Sequence, residues 1–251
     1  IDAKNDILKD FDKVIYHLDE PQADPAPINV YNICKAARQD GIKVLIGGTA
    51  GDDIFSGYRR HQALRFEPII DNIPAFIRKV IKNSITNLES QKPFVRRVKK
   101  MVSNFEKTRE ERMMRHFSWL DDEILKDLFL EPNDYNCFSY FDELTKLIPS
   151  DTSDLNKMLF WEINTFLTDH NLNYTDKLSM AVGVEVRVPY LDQELVEFAT
   201  KIPENLKLKR NETKYPLPAA ASPRTAPAAP PERAQRTTPR IPFPRFRFSS
   251  F

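Results

Sequence analysis

Glycine and cysteine are scarce in this sequence, and the shortage excludes two classes of protein. Only 6 glycines and 2 cysteines occur among the 251 residues, too few for a collagen-like repeat or a disulfide-stapled domain. Cys34 and Cys137 do not form a C-x-x-C motif, so we interpret them as ordinary thiols in a reducing compartment. No zinc-ligand spacing occurs among the histidines, which are His17, His61, His116 and His170.

Long apolar runs are missing as well. The sequence contains no stretch of about 18 apolar residues and no charged-then-apolar signal peptide. We therefore expect a soluble, cytoplasmic protein without a membrane partner. The hydrophobic fraction of 41% is large enough to form a buried core. Because the chain begins at Ile1 rather than at methionine, we expect it to be a fragment.

The net charge of +1 combines two regions of opposite sign. Residues 216–251 contain six arginines and one glutamate, so they carry +5 and leave residues 1–215 near −4. A mildly acidic body predicts no nucleic-acid partner. The same 36 terminal residues contain nine prolines and seven alanines, which indicates either a disordered basic tail or an out-of-frame end. We favour the second interpretation and place the domain boundary between residues 215 and 216.

A glycine-rich loop that follows a short apolar segment is the first candidate for a binding site. Apolar spacing over residues 28–40 predicts a helix that ends at Gly41. Residues 42–46 are branched and apolar, which is typical of a buried strand, and they continue directly into the loop at 47–53. This order predicts an α/β fold with a parallel sheet, in which ligands bind at the carboxyl ends of strands.

The remaining body is interpreted as mostly helical. Residues 62–150 contain polar helices in which Phe76, Val80, Ile81 and Ile85 form one apolar stripe. A clearer helix is predicted to begin among residues 151–154. Residues 184–192 are interpreted as a turn into a further helix.

The segment 46–58, which reads IGGTAGDDIFSGY, resembles the motif SGEGADELFGGY of asparagine synthetases. Three other stretches match this family in the same order. They are HLDEP at 17–21 followed by ADP at 23–25, DKLSMA at 176–181 and EVRVPYLD at 185–192, with TKY at 213–215 after them. One such match is weak, but four in order are specific.

The resemblance implies an adenine-nucleotide α-hydrolase-like fold, a parallel sheet flanked by helices with a largely helical second half. It also implies ATP and Mg²⁺ as cofactors. In the family's reaction a substrate carboxylate, aspartate or a similar acid, attacks the α-phosphorus of ATP. Ammonia from a glutaminase domain then displaces AMP and forms an amide. A homodimer is a further possibility that the resemblance raises.

Six loop residues are the candidate site. Glycine backbone allows N–H groups to approach a nucleotide closely, so Gly47, Gly48, Thr49 and Gly51 are assigned to nucleotide binding. Asp52 and Asp53 supply oxygen ligands for Mg²⁺, and Asp52 matches the family's metal-binding aspartate. The structural alternative is a turn whose two carboxylates stabilise a helix N-terminus.

Departures from the family pattern bear on activity. Thr49 stands where relatives have a glutamate, a candidate general base, and this puts aspartate as the substrate in doubt and admits a sugar carboxylate. The S-G-G-x-D-S pyrophosphate loop and the R-P-K-x-G-F lysine segment do not occur, so we expect the isolated chain to be inactive. No catalytic residue is assigned. Glu185 and Arg187 are interpreted as an ion pair that braces the turn rather than as catalytic groups.

Two alternatives remain open from the sequence. A ring-closing amide synthetase of the β-lactam synthetase type would share these motifs. A non-catalytic module with a basic tail is the alternative from a different class.

Overall fold

The computed structural model describes residues 10–20, 22, 24–86, 93–120, 127 and 138–208. Cys137 and the predicted tail at 216–251 lie outside the described residues. Two compact units make up the chain: the first contains the described residues up to Gly57 and from Leu159 onward, and the second contains those from Tyr58 to Met158.

The first unit contains the following elements: α1 (Phe11–Leu18), α2 (Ala26–Gln39), β1 (Val44–Ile46), α3 (Gly51–Ile54), a π-helix (Ile163–Leu172), α11 (Asn173–Met180), β2 (Glu185–Arg187), a 3₁₀ turn (Pro189–Leu191), α12 (Gln193–Lys201) and α13 (Glu204–Lys207). The second contains α4 (Arg59–Ala63), a 3₁₀ turn (Leu64–Phe66), α5 (Glu67–Asp71), α6 (Ala75–Thr86), α7 (Pro93–Ser103), α8 (Arg109–Met114) and α9 (Ser139–Lys146). Helix α10 (Asp154–Glu162) leads into the π-helix.

Helices α1, α2 and α11 form the core of the first unit. Their buried apolar side chains pack in one cluster, which consists of Val14, Leu18, Ile28, Tyr31 and Leu178. The predicted α2 is confirmed: Pro27 lies in its first turn, and the backbone reverses at Gly41 with a φ of 77°. Only glycine adopts that left-handed conformation without a steric cost.

The sheet of the first unit is parallel, as predicted. Val44, Leu45 and Ile46 of β1 pair in register with Glu185, Val186 and Arg187 of β2. In the described part of the chain this sheet has two strands.

Two predictions about this sheet are wrong. Residues 185–187 form a strand rather than a turn, because their extended backbone pairs with β1. The β1 strand is also not buried, since the side chains of Val44 and Ile46 are 42% and 78% exposed. Both side chains lie on the same face of the pair, and no described residue covers that face enough to bury them.

Helices α10, π and α11 run consecutively along the chain. The helix predicted to begin among residues 151–154 is confirmed, since α10 begins at Asp154. The widening into a π-helix was not predicted. Its polar side chains bind carbonyls of the preceding turn: Asn164 Nδ2 donates to the Phe160 oxygen at 2.7 Å, and Thr165 Oγ1 donates to the Trp161 oxygen at 2.8 Å. Such bonds compete with the regular helical ladder.

The second unit is helical, as predicted, but its expected apolar stripe divides in two. Ile81 and Ile85 of α6 pack against a buried cluster on neighbouring elements, formed by Ile70, Val102 and Phe105. Phe76 and Val80 are instead 70% and 61% exposed. One face of α6 therefore makes the core contacts, and the second half of the predicted stripe lies outside that face.

None of the described helices is both long enough and apolar enough to cross a lipid bilayer.

Candidate functional site

The glycine-rich loop begins at the carboxyl end of β1 and is fastened there by the second strand. Gly47 N–H donates to the Arg187 carbonyl at 2.8 Å. A Cβ atom at Gly47 would lie 3.1 Å from Val186 Cγ1, which is tighter than ordinary packing. Glycine at this position therefore admits the close approach of β2 without displacing the Val186 side chain.

The loop then turns sharply into α3. Ala50 adopts a φ of 72° and is 1% exposed, so a side chain occupies a left-handed position that glycine normally fills. A Cβ atom at Gly51 would lie 3.3 Å from the Tyr190 ring, which also contacts Phe55 edge-on at 6.2 Å between centroids. Tyr190 thus packs over the start of α3.

The end of α3 is equally constrained. Gly57 N–H donates to the Asp52 carbonyl at 2.8 Å. Ser56, which directly precedes Gly57, has a φ of 61°. The hydrogen bond is that of a Schellman-type helix end, with serine in the usual glycine position. The backbone on both sides of Asp52 and Asp53 is therefore fixed by buried turns.

All six predicted site residues lie on this segment, and the two carboxylates differ in exposure. Asp52 is partly exposed at the first turn of α3, whereas Asp53 is buried at 1% exposure. Mg²⁺ is commonly held by one or two carboxylates together with waters and substrate phosphates, so Asp52 fits that role better. Among the described residues no group of three or more His, Cys, Asp or Glu side chains is arranged to hold a metal ion.

The other motif residues make structural contacts in the first unit. Asp19 ends α1 with a φ of 62°, and Lys177 Nζ lies 3.2 Å from its carboxylate while donating to the Leu18 carbonyl at 2.9 Å. Lys177 therefore joins the end of α1 to α11. The predicted pair is also present: Arg187 Nε donates to Glu185 Oε1 at 2.8 Å, with both side chains exposed on β2.

An Asp–His pair that the sequence interpretation did not identify lies in the same unit. His170 Nε2 is 3.0 Å from Asp24 Oδ2, across 146 residues of sequence. The His170 ring lies between Phe166 and Tyr174, at centroid distances of 4.9 and 5.2 Å. Burial raises the pKa of Tyr174, and the negative charges of Asp24 and Asp53 raise it further. The only sequence signal was Asp24 within the ADP segment, and nothing there pointed to His170.

Comparison with known proteins agrees with the family resemblance that the sequence motifs indicate. A sequence model of the family described as "Asparagine synthase" matches residues 3–245. The chain is 30% identical over 223 residues to asparagine synthetase (glutamine-hydrolyzing) 1 of Bacillus subtilis (strain 168), a match that covers 87% of this chain and 34% of that protein. A Mycobacterium bovis protein provisionally named a glutamine-hydrolyzing asparagine synthetase is 26% identical over 213 residues, covering 84% of this chain and 32% of its own. No solved structure matches the chain significantly.

The chain thus spans about a third of the length of the curated relatives it matches. The family match includes the loop, both strands and the helices around them. This chain belongs to the asparagine synthase family.

Proposed function

We propose that this chain is part of an ATP-dependent amide synthetase. In the proposed reaction a carboxylate substrate is adenylated by ATP and then attacked by ammonia derived from glutamine. The observation that carries the proposal is the glycine-rich loop at the carboxyl end of β1, beside a parallel partner strand. Ligands of open α/β sheets bind at such an edge.

The loop residues have different roles in this proposal. Gly47 N–H is already engaged by the Arg187 carbonyl, so Gly47 contributes by admitting β2 rather than by donating to a phosphate. A Cβ atom at Gly48 would have no neighbouring atom within 4 Å, so the backbone there is open to an approaching ligand. Thr49 and Gly51 supply the remaining backbone groups between strand and helix.

Asp52 is the residue that would hold Mg²⁺. The ion supplies charge neutralisation for the departing pyrophosphate. The contribution of the chain itself is to fix the Asp52 backbone between two left-handed turns, at Ala50 and Ser56. This preorganisation reduces the reorganisation that binding would otherwise require.

The composition of the loop indicates a class of carboxylate substrates rather than one compound. Thr49 provides a hydroxyl where relatives have a carboxylate, so the site carries less negative charge near the substrate. Aspartate and a sugar carboxylate both fit this class. The proposed partners are a glutaminase domain that supplies ammonia and, by family resemblance, a second copy of the protein.

The experiment that tests this function is Asp52→Asn in the complete protein, assayed with ATP, ammonia and candidate carboxylates. We expect the rate of amide formation to fall about 100-fold, because charge on the leaving pyrophosphate is less well stabilised. Glutamine hydrolysis should change little.

Asp40→Asn is the matched control, since Asp40 is an exposed aspartate at the end of α2. It should leave amide formation unchanged. If Asp52→Asn and Asp40→Asn had equal, near-normal rates, the assignment of Asp52 would be wrong. If the unmodified protein released no pyrophosphate with any carboxylate, the proposed reaction itself would be wrong.

A further inference from the structure

We propose that His170, oriented by Asp24, accepts the proton that nitrogen loses in the amide-forming step. This inference rests on the proposed function and adds a catalytic residue and a positioning residue to it.

The geometry of the pair is that of an oriented base. Asp24 Oδ2 lies 3.0 Å from His170 Nε2, and Asp24 Oδ1 accepts the Ala26 N–H at 2.9 Å at the start of α2. The carboxylate is therefore held by backbone on one side and by imidazole on the other. A neutral imidazole that donates Nε2–H to Asp24 has its basic lone pair on Nδ1.

The pair is shielded but not sealed from solvent. The His170 and Asp24 side chains are 19% and 21% exposed. The Phe166 ring and the edge-on Tyr174 ring limit how the imidazole can rotate. His170 also lies in the π-helix, a rare geometry that occurs frequently at functional sites.

Tyr174 connects the pair to the glycine-rich loop. Helix α3 packs against the π-helix that contains His170, and the His170 ring contacts Tyr174 at 5.2 Å between centroids. The negative charges of both Asp24 and Asp53 also act on the Tyr174 hydroxyl. Asp169, next in sequence to His170, and Glu20 add negative charge: burial raises the pKa of Asp169, and the charge of Glu20 raises it further. All of these residues belong to the first unit.

The amide-forming step needs a proton acceptor, and Thr49 stands in the loop where relatives have a carboxylate. When ammonia attacks the acyl carbon, a C–N bond forms, and the C–O bond to AMP breaks with its electron pair leaving on AMP. The nitrogen must also lose one proton, and Thr49 cannot accept it near neutral pH. His170 takes that proton, and Asp24 stabilises the resulting imidazolium, as in other Asp–His pairs.

The test measures two half-reactions of the complete protein over a range of pH, with ammonia as nitrogen donor. Pyrophosphate release reports adenylation, and amide yield reports the second step. We expect His170→Gln to keep adenylation and to lower amide formation about 100-fold. The pH profile of its amide-forming step should also differ from that of the wild-type protein.

The variant Asp24→Asn tests whether Asp24 orients His170 or only contributes to packing in the first unit. Removing the carboxylate leaves the imidazolium without a counter-charge and the imidazole without its orienting partner, so amide formation should fall while adenylation persists. The pH profile should also depart from that of the wild-type protein, and Asp24→Glu should restore part of the wild-type profile. Asp169→Asn is the control, since it removes the carboxylate next in sequence to His170, and it should leave the profile in place.

The outcomes divide clearly. Amide formation by His170→Gln at the wild-type rate and with the wild-type profile would overturn the inference. Equal loss of both half-reactions in a folded His170→Gln protein would also overturn it, by indicating a role in binding. If that variant did not fold, wild-type amide formation with a wild-type pH profile in Asp24→Asn would be decisive against the inference. A wild-type protein that released no pyrophosphate would instead contradict the proposed function, and the inference with it.

Discussion

Ser56 combines two unfavourable features in one buried residue. Its φ is 61°, its exposed fraction is 0%, and its Oγ atom has no hydrogen-bond partner among the described residues. The motif SGEGADELFGGY has glycine at this position. A left-handed non-glycine residue and an unsatisfied buried hydroxyl each cost about 1 kcal/mol or more.

We therefore expect Ser56→Gly to raise the free energy of unfolding by about 1 kcal/mol, because it relieves the backbone and removes the hydroxyl. Chemical denaturation provides the measurement. Ser179→Ala is the control: Ser179 is also buried, at 1% exposure, but its hydroxyl donates to the Asp176 carbonyl at 3.0 Å. It should destabilise the protein, and a loss of stability in Ser56→Gly as well would contradict the prediction.

Lys207 is the buried cation of α13, at 1% exposure. Burial lowers its pKa from 10.5 to about 8, and the charge of Glu204 offsets this only partly. Between those two pH values the unfolded chain holds a proton that the folded chain has released. The free energy of unfolding therefore rises with pH across that interval, by up to about 3 kcal/mol.

Denaturation at pH values from 7 to about 10 tests this, with Lys207→Met as the comparison. The variant removes the buried charge, so we expect it to be more stable than wild type near pH 7 and to show a flatter pH dependence. Lys201→Met at the end of α12 is the control, because that lysine is exposed. A wild-type stability that fell over this interval would contradict the assigned direction.

The ion pairs of this chain are expected to differ in how much they contribute to the free energy of unfolding. In the second unit Arg112 of α8 bonds Glu67 of α5 at 2.7 Å, and both side chains are almost fully buried. Burial raises the pKa of Glu67 despite this partner. In the first unit the Glu185–Arg187 pair of β2 is exposed on both sides. Removing one partner of a buried pair leaves an uncompensated charge, whereas an exposed pair contributes little.

Glu67→Gln should therefore lower the free energy of unfolding by about 3 kcal/mol, near the lower end for buried pairs because Asp71 still contacts Arg112. Glu185→Gln should change it by less than about 1 kcal/mol. Urea denaturation of both variants gives the comparison. Equal effects would show that burial does not set the contribution of these pairs.

The predicted boundary between residues 215 and 216 concerns the whole chain. The family match extends to residue 245, and the structure does not describe this region, so the boundary stays a prediction. Nine prolines among the last 36 residues remove backbone donors and fix φ. We expect deletion of residues 216–251 to leave the melting temperature unchanged. A lower melting temperature after deletion would show that these residues contribute to the fold.

Local patterns in the sequence were enough to identify much of the first unit. The apolar spacing before Gly41 predicted α2, because helix periodicity and a left-handed stop are encoded within a few residues. The segment 47–53 was identified as the loop after β1 for the same reason. The exposed helix face that carries Phe76 and Val80 could not be predicted, since periodicity alone does not say which apolar face has a partner.

Contacts between distant parts of the chain determined the features that local patterns did not predict. A three-residue strand such as β2 has no periodicity to detect, and its extended form depends on pairing with β1 about 140 positions earlier. Asp24 and His170 are 146 residues apart in sequence and meet only because both segments fold into one unit. Local sequence therefore determined the family, the loop and the helix that precedes β1. Packing between distant segments determined which side chains share a site with that loop, because no local pattern specifies a partner.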